Sequence, residues 1–302
     1  MEGQLREPSS FPAQVYAESF FRKLPIDARF LQCTYQKFVP SSSIDGKTIE
    51  FNLDRYDVGN IYLIQDTCIE VNCVITKNDG SLPAKTNNVA VINNALHSMF
   101  DAVRLTVNDL PLTVSPSHYP YKAYITNTLT YSNEVKSAQL QTQGFYPDTS
   151  EHMDTSSDNS GFQERMGLFR KDFDSTGDYK SDGTTFFGRL LHDLVSCTTG
   201  LPPNTKIKFE LDRSDDSFVI LSKADDQEKY KLKILNISMY VPVAQLSNSV
   251  FSEINTILTR KNEPKSFGIH YRRLEVRPIS LPRNKLEYNS DGLFVDSELP
   301  VK

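Results

Sequence analysis

Residues 61–75 read Ile61-Tyr62-Leu63-Ile64-Gln65-Asp66-Thr67-Cys68-Ile69-Glu70-Val71-Asn72-Cys73-Val74-Ile75. The odd positions Ile61, Leu63, Ile69, Val71, Cys73 and Ile75 are apolar, and Asp66, Glu70 and Asn72 fall on even ones. Successive side chains of a strand point to opposite faces, so this alternation predicts one long strand with a single buried face. Asn78-Asp79-Gly80 then supplies a turn.

The same period of two recurs on both sides of this stretch. Residues 49–53, 103–107 and 207–211 alternate apolar and polar, and Asp45-Gly46 and Asn108-Asp109 are turn chemistry beside such runs. Between 231 and 241 the phase slips: Leu232 and Ile234 share one, whereas Leu235, Ile237 and Met239 take the other. A one-residue bulge at Ile234–Leu235 keeps both sets on the core side, and no turn residue intervenes to make two strands. Helical spacing is a minority. Tyr121, Tyr124, Ile125, Thr128 and Leu129 fit one helix face, and residues 135–140 suggest a second helix. Val250, Phe251, Ile254, Ile257 and Leu258 follow Ser249 as N-cap. The Asp-, Ser- and Gly-rich segment 147–183 is too long for a hairpin loop and reads as a surface excursion or as partly disordered. With about eight short strands, few helices and no βαβ rhythm, the expected class is an all-β antiparallel sandwich.

Composition narrows the function classes. The 302 residues hold 33 basic and 38 acidic side chains, a net charge of −5, which argues against a surface built throughout to neutralise phosphates. No apolar run approaches the ~20 residues of a bilayer span. Residues 1–25, with Glu2, Arg6, Glu7 and Glu18, read as neither signal peptide nor anchor, so a soluble chain made inside the cell and not secreted is expected. Cys33, Cys68, Cys73 and Cys197 are too sparse for a disulfide framework and read as small buried hydrophobes. Cys68 and Cys73, an odd separation apart, point to opposite faces of a strand.

The chemistry-bearing signatures GxxxxGK[ST], GxGxxG, GxSxG, HExxH and CxxC do not occur. His192-Asp193 and His152-Met153-Asp154 each place a carboxylate near an imidazole, either as a general acid/base pair or, the favoured reading, as local hydrogen bonds. His97, among apolar neighbours, reads as a satisfied, half-buried histidine. Asp45, Asp54 and Asp57, like Asp212, Asp215 and Asp216, lack the spacing of a calcium loop and read as turn carboxylates. No catalytic residue, metal site or cofactor is expected. One stretch is strongly basic: residues 260–285 include Arg260, Lys261, Arg272, Arg273 and Arg277, a candidate electrostatic patch. The favoured reading is a solvated strand face with a subunit contact, the alternative a field toward enclosed DNA.

Several motifs, taken in order, carry a resemblance. They are residues 91–100 (VINNALHSMF) with 103–108 (VRLTVN), then 119–125 (YPYKAYI), then 145–149 (FYPDT) leading to His152-Met153-Asp154. Residues 188–194 (GRLLHDL), 206–218 (KIKFELDRSDDSF) and 271–276 (YRRLEV) complete the series. From about residue 49 to 301 the chain resembles the major capsid protein of Polinton (Maverick) elements and adintoviruses.

The resemblance implies a double jelly roll: two eight-stranded antiparallel sandwiches side by side, perpendicular to a capsid shell, three copies forming a pseudo-hexagonal capsomer. A jelly roll needs well over ~100 residues, so the chain is expected to hold one barrel and the start of another. Residues 1–28 would be an N-terminal arm, 29–246 the first barrel with its loop excursions, 247–265 a linker helix, and 266–302 the first strand or strands of a truncated second jelly roll. The implied function is structural: a homotrimeric subunit in the virion, meeting neighbouring capsomers, a penton-type minor capsid protein and, non-specifically, packaged DNA. Excursions 91–101, 119–140 and 147–183 would cover the barrel ends and meet neighbours, making Tyr119, Tyr121, Tyr124, His97 and Phe100 candidate interface residues. Tyrosine brings apolar area and a hydroxyl to such contacts, though the three could instead pack within their own subunit. Two other readings are a β-sandwich module that binds carbohydrate or a receptor, which zero tryptophans disfavours, and a single-jelly-roll penton subunit.

Overall fold

The computed structural model describes residues 29–53, 59–112, 118–155, 157–172, 177–192, 194, 200–201, 205–223, 229–259, 274 and 276, without the side chains of 258 and 259. Among the described residues eight strands build the walls: β1 (Phe30–Phe38), β2 (Thr48–Asn52), β4 (Cys68–Lys77), β6 (Phe100–Val107), β7 (Leu110–Pro111), β8 (Thr184–Arg189), β9 (Ile207–Arg213) and β11 (Tyr230–Leu246). One sheet runs β1-β11-β4-β8 and the other β2-β9-β6-β7, with every pairing antiparallel. Counting only these wall strands in chain order, the first pairs the last, the second the seventh, the third the sixth and the fourth the fifth. That is the pairing made when one long antiparallel ribbon is wrapped into two facing sheets, a jelly roll. Two pieces complete the sheets: β3 (Asn60–Tyr62) lies beside β11, and β5 (Val89–Val91) pairs β10 (Ile220–Ser222).

Alternation decides what each strand buries. Ile49 and Phe51 of β2, Ile207, Phe209 and Leu211 of β9, and Val103 and Leu105 of β6 point inward, with Phe209 in register with both Phe51 and Leu105. They meet Ile69, Val71, Cys73 and Ile75 of β4 and Ile237, Met239 and Val241 of β11 in a single core. The β6–β7 hairpin turns on Asn108 and Asp109 at φ 49° and 64°, the left-handed pair that matches the twist of the strands it joins. The ladder of β11 shifts between Ile234 and Asn236, so the bulge lies where the phase slip put it.

The single strand expected over 61–75 is broken. Residues 64–66 form a 3-10 turn between β3 and β4, both of which pair the same edge of β11. The cause is Pro242. Its carbonyl accepts the Leu63 N–H at 2.9 Å, and in an extended strand a residue's N–H and C=O face the same edge. The donor that proline lacks is therefore missing where the chain leaves the ladder. Ile64, out of phase with its neighbours, turns into the core there.

Helices occupy the connections: α1 (Ala95–Ser98), α2 (Tyr119–Thr130), α3 (Asn133–Lys136), α4 (Ser160–Leu168), α5 (Asp216–Val219) and α6 (Asn248–Thr259). The helix expected over 135–140 is instead α3 followed by a 3-10 turn at Gln139–Gln143. Ser249 is inside α6 rather than its cap, because the Phe251 N–H already bonds the Ser247 carbonyl at 2.9 Å. Val250, Phe251 and Ile254 of α6 pack on Phe30, Ile61, Leu63, Ala244 and Leu246, the outward side of one end of the β1-β11-β4-β8 sheet.

Where it is described, the 147–183 excursion is an ordered element. Arg165 of α4 is fully buried, donating to the carbonyls of Val91 (2.9 Å) and Tyr146 and to Asp148 Oδ1 (2.6 Å). Burial pulls its pKa down, and Asp148 opposes that shift. Asn159 caps α4 through the Phe162 N–H and reaches Asp148 and the Asp154 carbonyl with its amide. A long polar insertion is thereby fixed to the barrel by buried polar bonds, together with Phe169 and Tyr179 in the main core and Phe162 and Met166 packed on Ala90.

Candidate assembly surface

Helix α2 begins at His118, whose φ of 71° turns the chain, and carries Pro120 in its first turn, where a missing N–H costs nothing. At its other end Lys136 Nζ bonds the Thr128 carbonyl at 2.6 Å. Tyr119, Ala123 and Asn127, spaced four apart, face inward. The Tyr119 hydroxyl lies 2.8 Å from His97 Nδ1, and His97 Nε2 is 3.0 Å from Gln143 Oε1. An amide oxygen only accepts, so Nε2 carries the imidazole proton and Nδ1 accepts from the tyrosine. The Tyr119 oxygen in turn accepts the Leu191 N–H at 3.3 Å. Asn127 Nδ2 bonds Asn94 Oδ1 at 3.1 Å. Desolvation lowers the His97 pKa to about 4 and raises that of Tyr119.

The inward side of α2 thus combines Tyr119 and Ala123, which join the core, with a polar hub around His97 and Asn127, while its outward side presents apolar residues. Tyr121 is 52% exposed, Tyr124 43%, Ile125 45% and Leu129 80%. A usual amphipathic helix keeps its large apolar residues on the core side, so this exposed set calls for a reason. Tyr124 stacks on Phe145 with centroids 5.9 Å apart, and Tyr121 leans on Phe218 at the same separation, so both rings are held in place. Beside Tyr121 lies a cavity of about 320 Å³ bounded by His118, Lys47, Arg213 and Asp215.

Three of the five candidate interface residues are corrected by these positions. Tyr119 and His97 are buried hub residues, and Phe100 is fully buried in the core because β6 begins there and points it inward. Only Tyr121 and Tyr124 reach the surface. Ile125 and Leu129 join them; their spacing identifies the helix face, but not which way it turns.

The remaining candidates separate just as clearly. His192 is buried, with Nε2–H donating to the Ile64 carbonyl (2.9 Å) and Nδ1 accepting the Leu194 N–H (3.1 Å), which orients the loop. Residue 193 lies outside the described residues. His152 is exposed in a turn bridged to Thr149. Asp212 accepts from Thr48 and Arg104, and Asp216 from the Leu232 N–H. Among the described residues no group of three or more His, Cys, Asp or Glu could hold a metal. Cys73 alone of the described thiols is buried, and burial raises its pKa; Cys33 is exposed and Cys68 partly so, as opposite faces require. Arg260, Lys261, Arg272, Arg273 and Arg277 lie outside the described residues. Among the described residues no helix is long and apolar enough to cross a membrane.

No family model matches the chain. It is 25% identical over 212 residues to the uncharacterized protein F54H12.2 of Caenorhabditis elegans, a match covering 70% of this chain and 46% of that one. Among solved structures it resembles the 3.5 Å cryo-EM structure of the Sputnik virophage, with a TM-score of 0.53 and 13% identity over 82% of this chain and 53% of that one. The mavirus major capsid protein also aligns, with a TM-score of 0.42 and 11% identity over 83% of this chain and 54% of that one. The chain spans about half the length of the proteins it matches. At these identities the likeness is one of fold: the antiparallel sandwich read from the strand pairing is matched in the Sputnik virophage structure.

Proposed function

We propose that the chain is a structural subunit of a viral capsid, the first jelly roll of a major capsid protein of the Polinton and adintovirus type. The observation that carries the reading is the strand pairing first-to-last through fourth-to-fifth within one barrel, and the fold likeness to the Sputnik virophage structure supports it. A stiff wall of paired strands with ordered insertions at its ends suits tiling rather than turnover. In this reading residues 247–265 link the barrel to strands of a second one beginning near 266, and three copies form a capsomer. The outward side of α2 then supplies one contact between subunits, since Tyr121, Tyr124, Ile125 and Leu129 present apolar area on a rigid element. Neighbouring capsomers, a penton-type subunit and packaged DNA, the last toward the basic 260–285 stretch, are the partners it predicts, and the virion its location.

Analytical ultracentrifugation and negative-stain microscopy of the purified chain test this. Trimers with a six-sided outline, or shells, are expected. A monodisperse monomer at several milligrams per millilitre overturns self-assembly by this chain.

A further inference from the structure

Helix α2 is fastened to the barrel at few points. Its buried residues are Tyr119, Pro120, Ala123 and Asn127, while Tyr121 and Tyr124 lean on Phe218 and Phe145 from outside. Two of the fastenings meet at one imidazole. His97 is closed between the Tyr119 hydroxyl and Gln143 Oε1, and the same Oε1 takes the Asn127 amide at 3.5 Å.

This hub accommodates one arrangement of protons. Nε2–H donates to Gln143, Nδ1 accepts the phenol proton, and the phenol oxygen accepts the Leu191 N–H. A second proton on the ring goes to Nδ1. Among the described residues the phenol then faces two donors, Nδ1–H and the Leu191 N–H, and its own proton loses its acceptor. The imidazolium also lacks a counter-charge there. Of the groups set against the ring, the Tyr119 phenol titrates, but burial raises its pKa and keeps it neutral. The carboxylates of the neighbouring elements are engaged elsewhere: Asp101 of β6 and Asp215 at the start of α5 are exposed, and Asp216 accepts the Leu232 N–H. Arg189 of β8 pairs with Asp66, Lys136 bonds the Thr128 carbonyl, and Lys122 lies half-buried beside the inward row of α2.

His97 therefore gains a proton when its ring reaches water, and the wall of the hub whose displacement costs least is α2. We infer that α2 is an acid-released clasp: protonation of His97 lifts the helix and Tyr119 from the barrel and withdraws the surface formed by Tyr121, Tyr124, Ile125 and Leu129. The sheets stay paired, because their ladders do not pass through the hub. That the withdrawn surface is a contact between subunits rests on the capsid reading; the release does not.

Hydrogen exchange with mass spectrometry tests this on the full chain, dilute, at pH 7 and 5, with intrinsic rates divided out. Opening moves the imidazole from about 4 to 6.5, which raises the open population about twentyfold over this interval. Peptides from 119–130 are expected to exchange well ahead of those from β9 and β11 at both pH values, and to lose about twentyfold in protection at pH 5. His97→Gln, which keeps a hydrogen-bonding side chain but gains no proton, should abolish that loss. A helix that exchanges in step with the strands, or protection that is the same at pH 5, overturns the inference. So does a folded His97→Gln chain that keeps the loss; if the variant does not fold, the unaltered chain decides alone. The capsid reading fails separately, by sedimentation that shows no association at pH 7, and the exchange result stands apart from it.

Discussion

His97 and Tyr119, on two different helices, share one short hydrogen bond of 2.8 Å sealed from water. It joins α1 to the inward side of α2, so the orientation of the outward apolar residues depends on a buried polar contact as well as on the core packing of Tyr119 and Ala123. Such a contact is directional. It fixes the helix rotation more tightly than apolar packing does, and it fails differently.

It should fail with acid. The unfolded imidazole titrates near 6.5, and burial holds the folded one at about 4. Above pH 6.5 both states are neutral and the site adds no pH dependence. As pH falls from 6.5 to 4 the unfolded state gains a proton that the folded state does not, so stability drops, by up to about 3 kcal/mol, and levels off below 4. Urea denaturation at pH 7, 5.5 and 4.5 should show this loss, and His97→Gln should flatten the same interval whatever it does to stability at pH 7.

Removing the Arg165 side chain should be among the costliest single changes. Arg165→Met takes this donor from the Val91 and Tyr146 carbonyls, leaves Asp148 with the Asn159 amide but without its charge partner, and should cost about 3 kcal/mol. Arg165→Lys, with a point charge in place of a fork, should recover less than half. Denaturant midpoints measure both. A loss under about 1 kcal/mol for Arg165→Met would mean the excursion is not held through this residue.

Gly161, four residues before Arg165, admits no side chain. A Cβ there would lie 2.2 Å from the Pro147 carbonyl oxygen and 2.7 Å from that of Tyr146. Gly161→Ala should therefore cost about 2 kcal/mol or more by pushing α4 off the segment its neighbours bond, although alanine is the better helix former. Limited proteolysis should then cut first between 147 and 168.

What could be read from the sequence follows the range of each interaction. The alternation of 49–53, 103–107 and 207–211 is local, and so is the phase slip at Ile234–Leu235, whose bulge is where the pattern requires it. The break at 64–66 was hidden because its cause, Pro242, lies on another strand. Thr48 and Asp212 bond across a separation of 164 residues, a partnership no window of sequence displays. The α2 spacing identifies a helix face, but apolar spacing is silent on direction when the opposite face carries Asn127 and Tyr119 as a satisfied polar hub. Arg165 was likewise illegible, since a lone arginine in a polar segment reads as solvated until its three acceptors converge.

The outward side of α2 yields the most direct test of the proposed interface. Ile125 and Leu129 are 45% and 80% exposed and one turn apart, so Ile125→Lys with Leu129→Lys removes apolar area without opening the core. Exposed substitutions of this kind change stability by about 0.5 kcal/mol or less, and the thermal midpoint should move by no more than ~2 °C. Self-association should weaken by at least tenfold, because two charges would be desolvated at every copy of the contact. Sedimentation equilibrium of the variant beside the unaltered chain measures this directly. Equal association constants for two equally stable proteins would remove α2 from the interface and leave its exposed apolar side without a purpose in assembly.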